Sequence, residues 1–150
     1  MNEARFVCAC ATARHVARTL TQLYDTALSD TGLEAPQFAL LMAIEQIGPC
    51  NQSALGERYA LDKTTVSRNL KWLERQGWVH VSIGKNRRER ELTLTAEGRK
   101  RLTAAHPKWR NAQALLRSEM SEAEWKAMFR AFEKITEAAQ RAKHRRRGAV

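Results

Sequence analysis

The sequence has few of the features that characterise disulfide-rich or membrane-spanning proteins. Three of its 150 residues are cysteine, too few for a disulfide framework. No apolar stretch approaches the roughly 20 residues needed to cross a bilayer. The apolar stretch 6–13 ends at Arg14-His15 before it resembles a signal peptide. We therefore expect a cytoplasmic protein with no membrane partner.

The motifs of common enzymes are missing as well. The sequence contains no Gly-rich phosphate loop, no GxSxG elbow and no HExxH pair. Its four histidines fall on separate segments without paired carboxylates nearby. Cys8 and Cys10 are two residues apart, so on a helix they would point to nearly opposite sides and would not share one metal ion. Neither catalysis, a metal nor a cofactor is predicted.

Acidic residues are outnumbered by basic ones. The chain has 26 Lys and Arg against 16 Asp and Glu, a net charge of +10. This charge favours polyanions, although alone it does not distinguish DNA from RNA or a membrane. Residues 141–147 contain no acidic residue and are predicted to be a frayed basic extension. They suit either extra phosphate attraction, which the number of cations favours, or a solvated helix end.

Residues 62–76 predict a helix with an unusual polar face. Asp62 is a good N-cap, and Val66, Leu70 and Leu73 recur at helical spacing and should face a core. The other face carries hydroxyls, cations and an amide in place of the usual Glu and Lys: Lys63, Thr64, Thr65, Ser67, Arg68, Asn69 and Lys71. Hydroxyls and lysines can hold phosphates, while Arg68 can offer two parallel donors to a guanine. Such a face suits a DNA major groove.

A β-hairpin with a cationic tip is predicted directly after this helix. Gly77 suits a helix C-cap, and apolar residues then alternate as in a strand with one buried face: Val79, Val81 and Ile83. A second alternating run, 92–95, returns after the basic tip 84–90. Arginines on such a tip can enter a narrow minor groove. Helix and hairpin together predict a winged helix-turn-helix.

Other helices are predicted on both sides of this region. Two short ones, 37–44 after Pro36 and 53–59 after the break at Gly48-Pro49, would support the reading helix. Asn51 or Ser53 would lie where a phosphate can be bound. A long helix over 95–117 should be interrupted and kinked by Pro107. Apolar stripes occur near both termini: Phe6, Cys10, Ala13, Ala17, Leu20 and Tyr24, and, after a capping box at Ser121-Glu124, Trp125, Met128, Phe129, Phe132, Ile135 and Ala139. They favour a dimer.

The order and spacing of several motifs resembles the MarR family of transcriptional regulators over nearly the whole chain. The motifs are Gly32-Leu33, Gln37-Phe38 and Leu40-Leu41, then residues 62–68 with Leu70, Leu73-Glu74 and Gly77, then Arg88, Leu94-Thr95 and Gly98. The resemblance implies a mainly α fold with a small β-hairpin wing (α+β). It implies one MarR-like chain over 1–150, with a winged helix-turn-helix lobe at 33–98 and dimerisation helices at 4–30 and 100–146.

The function implied by the resemblance is that of a homodimeric repressor that binds a palindromic operator in double-stranded DNA. The expected DNA-contacting residues are Ser53, Lys63, Thr64, Thr65, Ser67, Arg68, Lys71, Arg87 and Arg88. A small, aromatic, anionic effector would bind in a cleft of the protein and thereby cause release of the DNA. Its expected lining is Arg14, His15, Arg18, Tyr24, Trp72 and Trp109, although core or solvated roles stay open for each. A nonspecific architectural DNA-binding protein is the alternative without base reading.

Two departures from the family pattern affect these expectations. Asn86 stands where the family usually has an acidic residue that pairs with the wing arginine, so the wing could be more mobile. Cys10 and Tyr24 match the reactive cysteine and one tyrosine of the family's organic-hydroperoxide sensors, which makes redox sensing an alternative. Two further tyrosines of those sensors are replaced here by Arg14 and Ala35.

Overall fold

A computed structural model describes residues 8–59, 63–84 and 90–147 of the chain. Within them it contains six helices and one antiparallel two-stranded sheet, with strand order β1-β2. The elements are α1 (Ala9–Leu28), α2 (Ala35–Ile47), α3 (Gln52–Tyr59), α4 (Lys63–Arg75), β1 (Val79–Ile83), β2 (Arg90–Leu94), α5 (Ala96–Ser118) and α6 (Glu122–Arg147). This is the predicted mainly helical fold with a small hairpin.

The chain forms two compact units, residues 1–112 and 113–150, so the boundary falls inside α5. The first unit holds the short helices, the hairpin and nearly all of the buried side chains. The second holds the last turns of α5 and all of α6. None of the helices in the described ranges has the length and apolarity required to cross a membrane.

The core of the first unit is built around α2. This helix begins as predicted at a proline-containing first turn, where Glu34 and Gln37 form a capping box. It buries Phe38, Leu41 and Ile44, each at most 2% exposed. Val66, Leu70 and Leu73 of α4 are buried in the same cluster, which confirms the predicted inner face of that helix. Burial of each such side chain contributes roughly 1.5–3 kcal/mol.

The hairpin pairs in the register Val79↔Leu94 through Ile83↔Arg90. Val79 is buried as predicted, but Ile83 is 75% exposed, so its predicted burial was wrong. Ile83 pairs with Arg90 at the tip end of the hairpin, whereas Val79 pairs with the buried Leu94 at the core end. Alternation fixes which side of a strand a residue faces, whereas the position along the strand decides whether a core is there to cover it.

A short bridge extends the hairpin in a way that the sequence did not predict. Cys50 and Leu92 exchange backbone hydrogen bonds of 3.2 and 2.7 Å as an isolated antiparallel pair. The segment between α2 and α3 therefore pairs with the edge of β2 that faces away from β1. This bridge ties the helix-turn-helix to the wing through the backbone, independently of side-chain packing.

The start of α5 is fastened to the turn that follows α4. The Thr95 N–H donates to the Trp78 carbonyl at 3.1 Å, and the Thr95 hydroxyl donates to the Gly77 carbonyl at 2.7 Å. The Gly98 N–H in turn donates to the Thr95 hydroxyl at 3.0 Å, so Thr95 also caps the helix. Gly98 lies so close to the backbone of Trp78 that an added Cβ would be 2.0 Å from the Trp78 carbonyl oxygen.

α5 runs through Pro107 as one helix, where the sequence predicted an interruption. Proline has no N–H, so the Thr103 carbonyl lacks its usual helical donor. Contacts of the two residues directly after the proline hold the helix in the first unit. The Trp109 ring stacks on Phe38 with centroids 5.9 Å apart, and the Lys108 ammonium lies 2.6 Å from an Asp30 carboxylate oxygen.

α6 begins with the predicted capping box. The Ser121 N–H and hydroxyl both donate to the Glu124 carboxylate, at 2.8 and 2.7 Å, and these bonds lower the pKa of Glu124. The helix continues to Arg147, so the predicted frayed extension is wrong: residues 141–146 are helical and exposed. The cations in the last turns of α6 interact favourably with the partial negative charge at the C-terminus of the helix.

Candidate nucleic-acid interface

The two faces of α4 differ sharply in chemistry. Lys63, Thr64, Arg68 and Lys71 are exposed on the outer face, opposite the buried apolar residues. Asn69 does not belong with them, because it is 8% exposed and its side-chain amide donates to the Thr65 carbonyl at 3.0 Å. Its predicted place on the outer face was wrong. Asn69 is next to the buried Leu70 and is turned inward, where a backbone carbonyl of the same helix accepts its amide hydrogen.

Five of the predicted DNA-contacting residues line one open cleft of about 530 Å³: Lys63, Thr64, Ser67, Arg68 and Lys71. The remaining lining residue is Gln52, from the first turn of α3. Among these described lining residues three are cations and none is acidic, so this part of the cleft favours an anionic ligand. Lys63 and Lys71 are eight residues apart, about 12 Å along a helix, which is comparable with the roughly 12 Å width of the major groove.

Ser53 lies next to this cleft. It is exposed and lines a second cleft of about 400 Å³, which Gln52 and Lys63 also border. Thr65 is half-buried and lines neither cleft. Asn51, the other predicted phosphate contact, caps α3: its side-chain oxygen accepts from the Ala54 N–H at 2.8 Å. The cap explains why α3 begins where it does.

Gln52 is the residue that sequence reasoning missed. It borders both clefts, and its amide donates to the Lys63 carbonyl at 3.4 Å. The only available signal was its position, directly between the two residues predicted to lie at the N-terminus of the first helix.

The predicted wing contacts fall outside the described residues. These are Arg87 and Arg88, together with the departure at Asn86 and the predicted N-cap Asp62. Of the described basic residues in the hairpin, Arg90 is exposed at the end of β2 that leads to the tip. The wing contacts therefore stay predictions.

The predicted effector residues do not meet in one cavity of the single chain. Arg14, His15 and Arg18 share an open cleft of about 320 Å³ on α1. Trp72 lines a different cleft of about 440 Å³, beside Asp25 and Glu34. The first cleft is cationic and the second is acidic, so an anionic ligand is suited to the first alone.

The remaining aromatic candidates contribute to packing. Trp109 stacks on Phe38, and Trp72 packs edge-on against Trp78 with centroids 5.3 Å apart. Tyr24 is half-buried, and desolvation raises the pKa of its phenol. The core roles that the sequence left open thus apply to Trp109 and, in part, to Trp72.

The cysteines occupy two environments. Cys8 and Cys10 are exposed at the start of α1, whereas Cys50 is buried beside the hairpin. Burial, and then the charge of Glu91, raises the pKa of the Cys50 thiol. No cluster of three His, Cys, Asp or Glu side chains suited to a metal occurs in the described ranges. The redox alternative at Cys10 stays a prediction.

A thiol titration should separate these environments. We expect an aromatic disulfide reagent at neutral pH to label Cys50 only after unfolding, because thiolate is the reacting form and Cys50 is both covered and held protonated. Counting labelled thiols with and without denaturant, in wild type and Cys50→Ala, measures this. Fast labelling of all three thiols in the native wild type would contradict it.

Comparison with known proteins matches the fold to one family. The sequence model of the MarR family matches residues 33–89. An uncharacterized HTH-type transcriptional regulator of Bacillus subtilis, YwoH, is 32% identical over 85 residues, which span 57% of this chain and 62% of YwoH.

Solved structures extend the match beyond the helix-turn-helix. The M. tuberculosis transcriptional regulator MosR has a TM-score of 0.80 and 35% identity, covering 90% of this chain and 97% of MosR. A structure of MosR in complex with DNA has a TM-score of 0.81 and 37% sequence identity, and the match covers 89% of this chain and 96% of that MosR chain. Bordetella bronchiseptica BpsR, whose DNA binding is regulated by 6-hydroxynicotinic acid, shares the fold at 22% identity and a TM-score of 0.80, covering 90% and 98%. With its cationic α4 face on this winged-helix fold, the chain belongs to the MarR family and is a DNA-binding transcriptional regulator, not an enzyme.

Proposed function

We propose that the protein is a homodimeric repressor that binds a two-fold symmetric operator in double-stranded DNA. The outer face of α4 would lie in the major groove and the hairpin tip in the adjacent minor groove. The observation that carries this proposal is the cleft along α4, which brings Lys63, Arg68 and Lys71 together with no carboxylate among the lining residues that the structure describes. The MosR complex with DNA, from a protein 37% identical to this chain, supports it.

A random-library selection tests base reading against nonspecific coating. Reduced protein is mixed with random duplexes at near-physiological salt, and bound duplexes are sequenced. We expect enrichment of a palindrome whose half-sites are about one helical turn apart. Enrichment of no sequence, together with binding that collapses as salt rises, would favour the architectural alternative.

The dimer is proposed to form through helices at 4–30 and 100–146, leaving residues 33–98 as the DNA-binding lobe. Support comes from α6, where Phe129, Phe132 and Ile135 are 50%, 42% and 58% exposed in the single chain. Large apolar side chains grouped on one helix face are costly to leave in water, and a second copy of the chain would cover them.

Phe132→Asp should convert the dimer to monomer, because a carboxylate would be buried without a partner in the proposed interface. Ala127→Asp is the matched control, since it adds the same charge at an exposed position of α6 away from the apolar stripe. Sedimentation velocity should show a dimer for wild type and the control and a monomer for Phe132→Asp. A dimeric Phe132→Asp protein would place the interface elsewhere.

Release by a small aromatic anion is the second part of the proposal. Arg14, His15 and Arg18 supply a cationic cleft on α1, and helix α1 contains no acidic residue before Asp25. The test uses 6-hydroxynicotinic acid, the regulator of BpsR, and simple aromatic carboxylates as probes in an operator-binding assay. We expect the probe to weaken operator binding by the wild-type protein. In the double variant Arg14→Ala/Arg18→Ala, the probe should have no effect on operator binding. Release that persists in this variant would place the effector site elsewhere.

The wing should contribute mainly to charge-dependent binding. Replacing Arg87 and Arg88 together by Ala is expected to weaken operator binding and to flatten its dependence on salt by about 0.9 log unit for each lost phosphate contact. Binding measured from low to moderate salt gives the slope. An unchanged slope would mean that the wing arginines do not contact phosphate.

A further inference from the structure

The first turn of α3 touches the first residue of α4 through one side chain. Gln52 follows the cap residue Asn51, and its Nε2 atom donates to the backbone carbonyl of Lys63 at 3.4 Å. Lys63 is the first described residue of α4. Gln52 and Lys63 also border both clefts of the interface.

This contact is directional where the packing beneath it is not. Leu55 of α3 and Val66 of α4 are buried in the shared core, at 0% and 1% exposure. Apolar contact of this kind sets the distance between two helices but tolerates rotation, because the hydrophobic effect is non-directional. A hydrogen bond depends on distance and angle, and a carbonyl has two lone pairs, so the Lys63 oxygen can serve the helix and Gln52 together.

The location of the contact determines what it can control. Arg68 lies five residues beyond Lys63, about 7.5 Å along the helix axis. Bidentate pairing of an arginine with a guanine requires its donors to be placed within about 0.5 Å. Holding the first turn of α4 therefore restricts the tilt that would carry the Arg68 guanidinium away from a base edge.

We propose that Gln52 is a positioning residue for base reading: through the Lys63 carbonyl it fixes the orientation of α4, and it thereby sets the operator specificity of Arg68. This inference rests on the proposed function of α4. Gln52 would affect the ratio between operator and mismatched duplexes, whereas a phosphate contact would affect all duplexes alike.

The test uses two substitutions at Gln52 in the full-length protein. Gln52→Met keeps the length of the side chain and removes the donor, while Gln52→Lys keeps a donor at similar reach. Affinity is measured for the selected operator and for a duplex changed at the base pair whose discrimination is lost in Arg68→Ala. The ratio of the two affinities is the readout, since an added charge acts on both duplexes.

We expect Gln52→Met to reduce this ratio about 3- to 10-fold and Gln52→Lys to restore most of it. In the Arg68→Ala background, Gln52→Met should cause no further loss of the ratio. Gln22→Met, an exposed change on α1, serves as the control.

Other results would overturn the inference. An unchanged ratio in Gln52→Met would remove the positioning role. Equal loss on both duplexes would make Gln52 a phosphate contact instead, with the salt slope unchanged because its amide is uncharged. If wild type itself fails to discriminate between the duplexes, the proposed function fails, and this inference fails with it.

Discussion

A Gly98→Ala variant is expected to lose at least about 3 kcal/mol of its free energy of unfolding, with a fall in melting temperature of roughly 6–12 °C. The added Cβ would be 2.0 Å from the Trp78 carbonyl oxygen and 2.9 Å from its carbon. Both neighbours are backbone atoms, so no rotamer change relieves the clash. Native proteins are stable by only about 5–15 kcal/mol, so this loss would be severe.

The clash is hard to relieve because the same carbonyl is already engaged. The Trp78 oxygen accepts the Thr95 N–H, and the Thr95 hydroxyl holds the neighbouring Gly77 carbonyl. Moving α5 away from the turn would lengthen these bonds together with the cap at Gly98. Both strands of the hairpin would be affected at their core end, since Thr95 directly follows β2 and Trp78 directly precedes β1.

Gly77→Ala is the matched comparison. Gly77 has a φ of +71° and no heavy atom within 4 Å of an added Cβ, so the substitution introduces backbone strain without a clash. Its cost should be about 1 kcal/mol. Thermal and denaturant unfolding at a fixed protein concentration measures both variants, because dimer formation makes melting temperature depend on concentration. Equal losses for the two glycines would refute the close approach at Gly98.

The long periodic elements of this fold could be predicted from the sequence. The stripe of Val66, Leu70 and Leu73 is strictly helical in spacing, and the core buries all three. The capping boxes and turn glycines that bound the helices are local signals, so α2, α4 and α6 begin or end close to the expected residues. The chemistry of the outer face of α4 was likewise readable, because exposure follows from the position of the buried stripe.

The errors occurred where tertiary context decides. Ile83 follows the alternation of its strand, yet the core does not extend to its end of the hairpin. Asn69 is the exception, because its partner is a carbonyl four residues earlier in the same helix and the contact is local. The bridge between Cys50 and Leu92 and the contact from Gln52 to Lys63 join segments distant along the chain. No local pattern encodes such pairs.

Arg68→Ala is expected to abolish discrimination at one base pair of each half-site, at a cost of roughly 1–3 kcal/mol, or about 5- to 150-fold in affinity for the operator. The Arg68 side chain is exposed in the cleft between Lys63 and Lys71, where its guanidinium is available to pair with a guanine. Competition binding against duplexes changed at each position of the operator identifies the base pair that has become neutral.

Two substitutions on the same helix separate charge from geometry. Arg68→Lys keeps the charge and loses the planar fork, so its affinity for random duplex should match that of wild type while the discrimination is lost. Lys71→Ala removes a charge from the same cleft and should weaken binding to every duplex, with a salt slope lower by about 0.9 if it neutralises one phosphate. If Arg68→Ala behaved like Lys71→Ala, losing affinity equally on all sequences, Arg68 would be a phosphate contact, and base reading would have to come from the hydroxyls of Thr64 and Ser67 beside it.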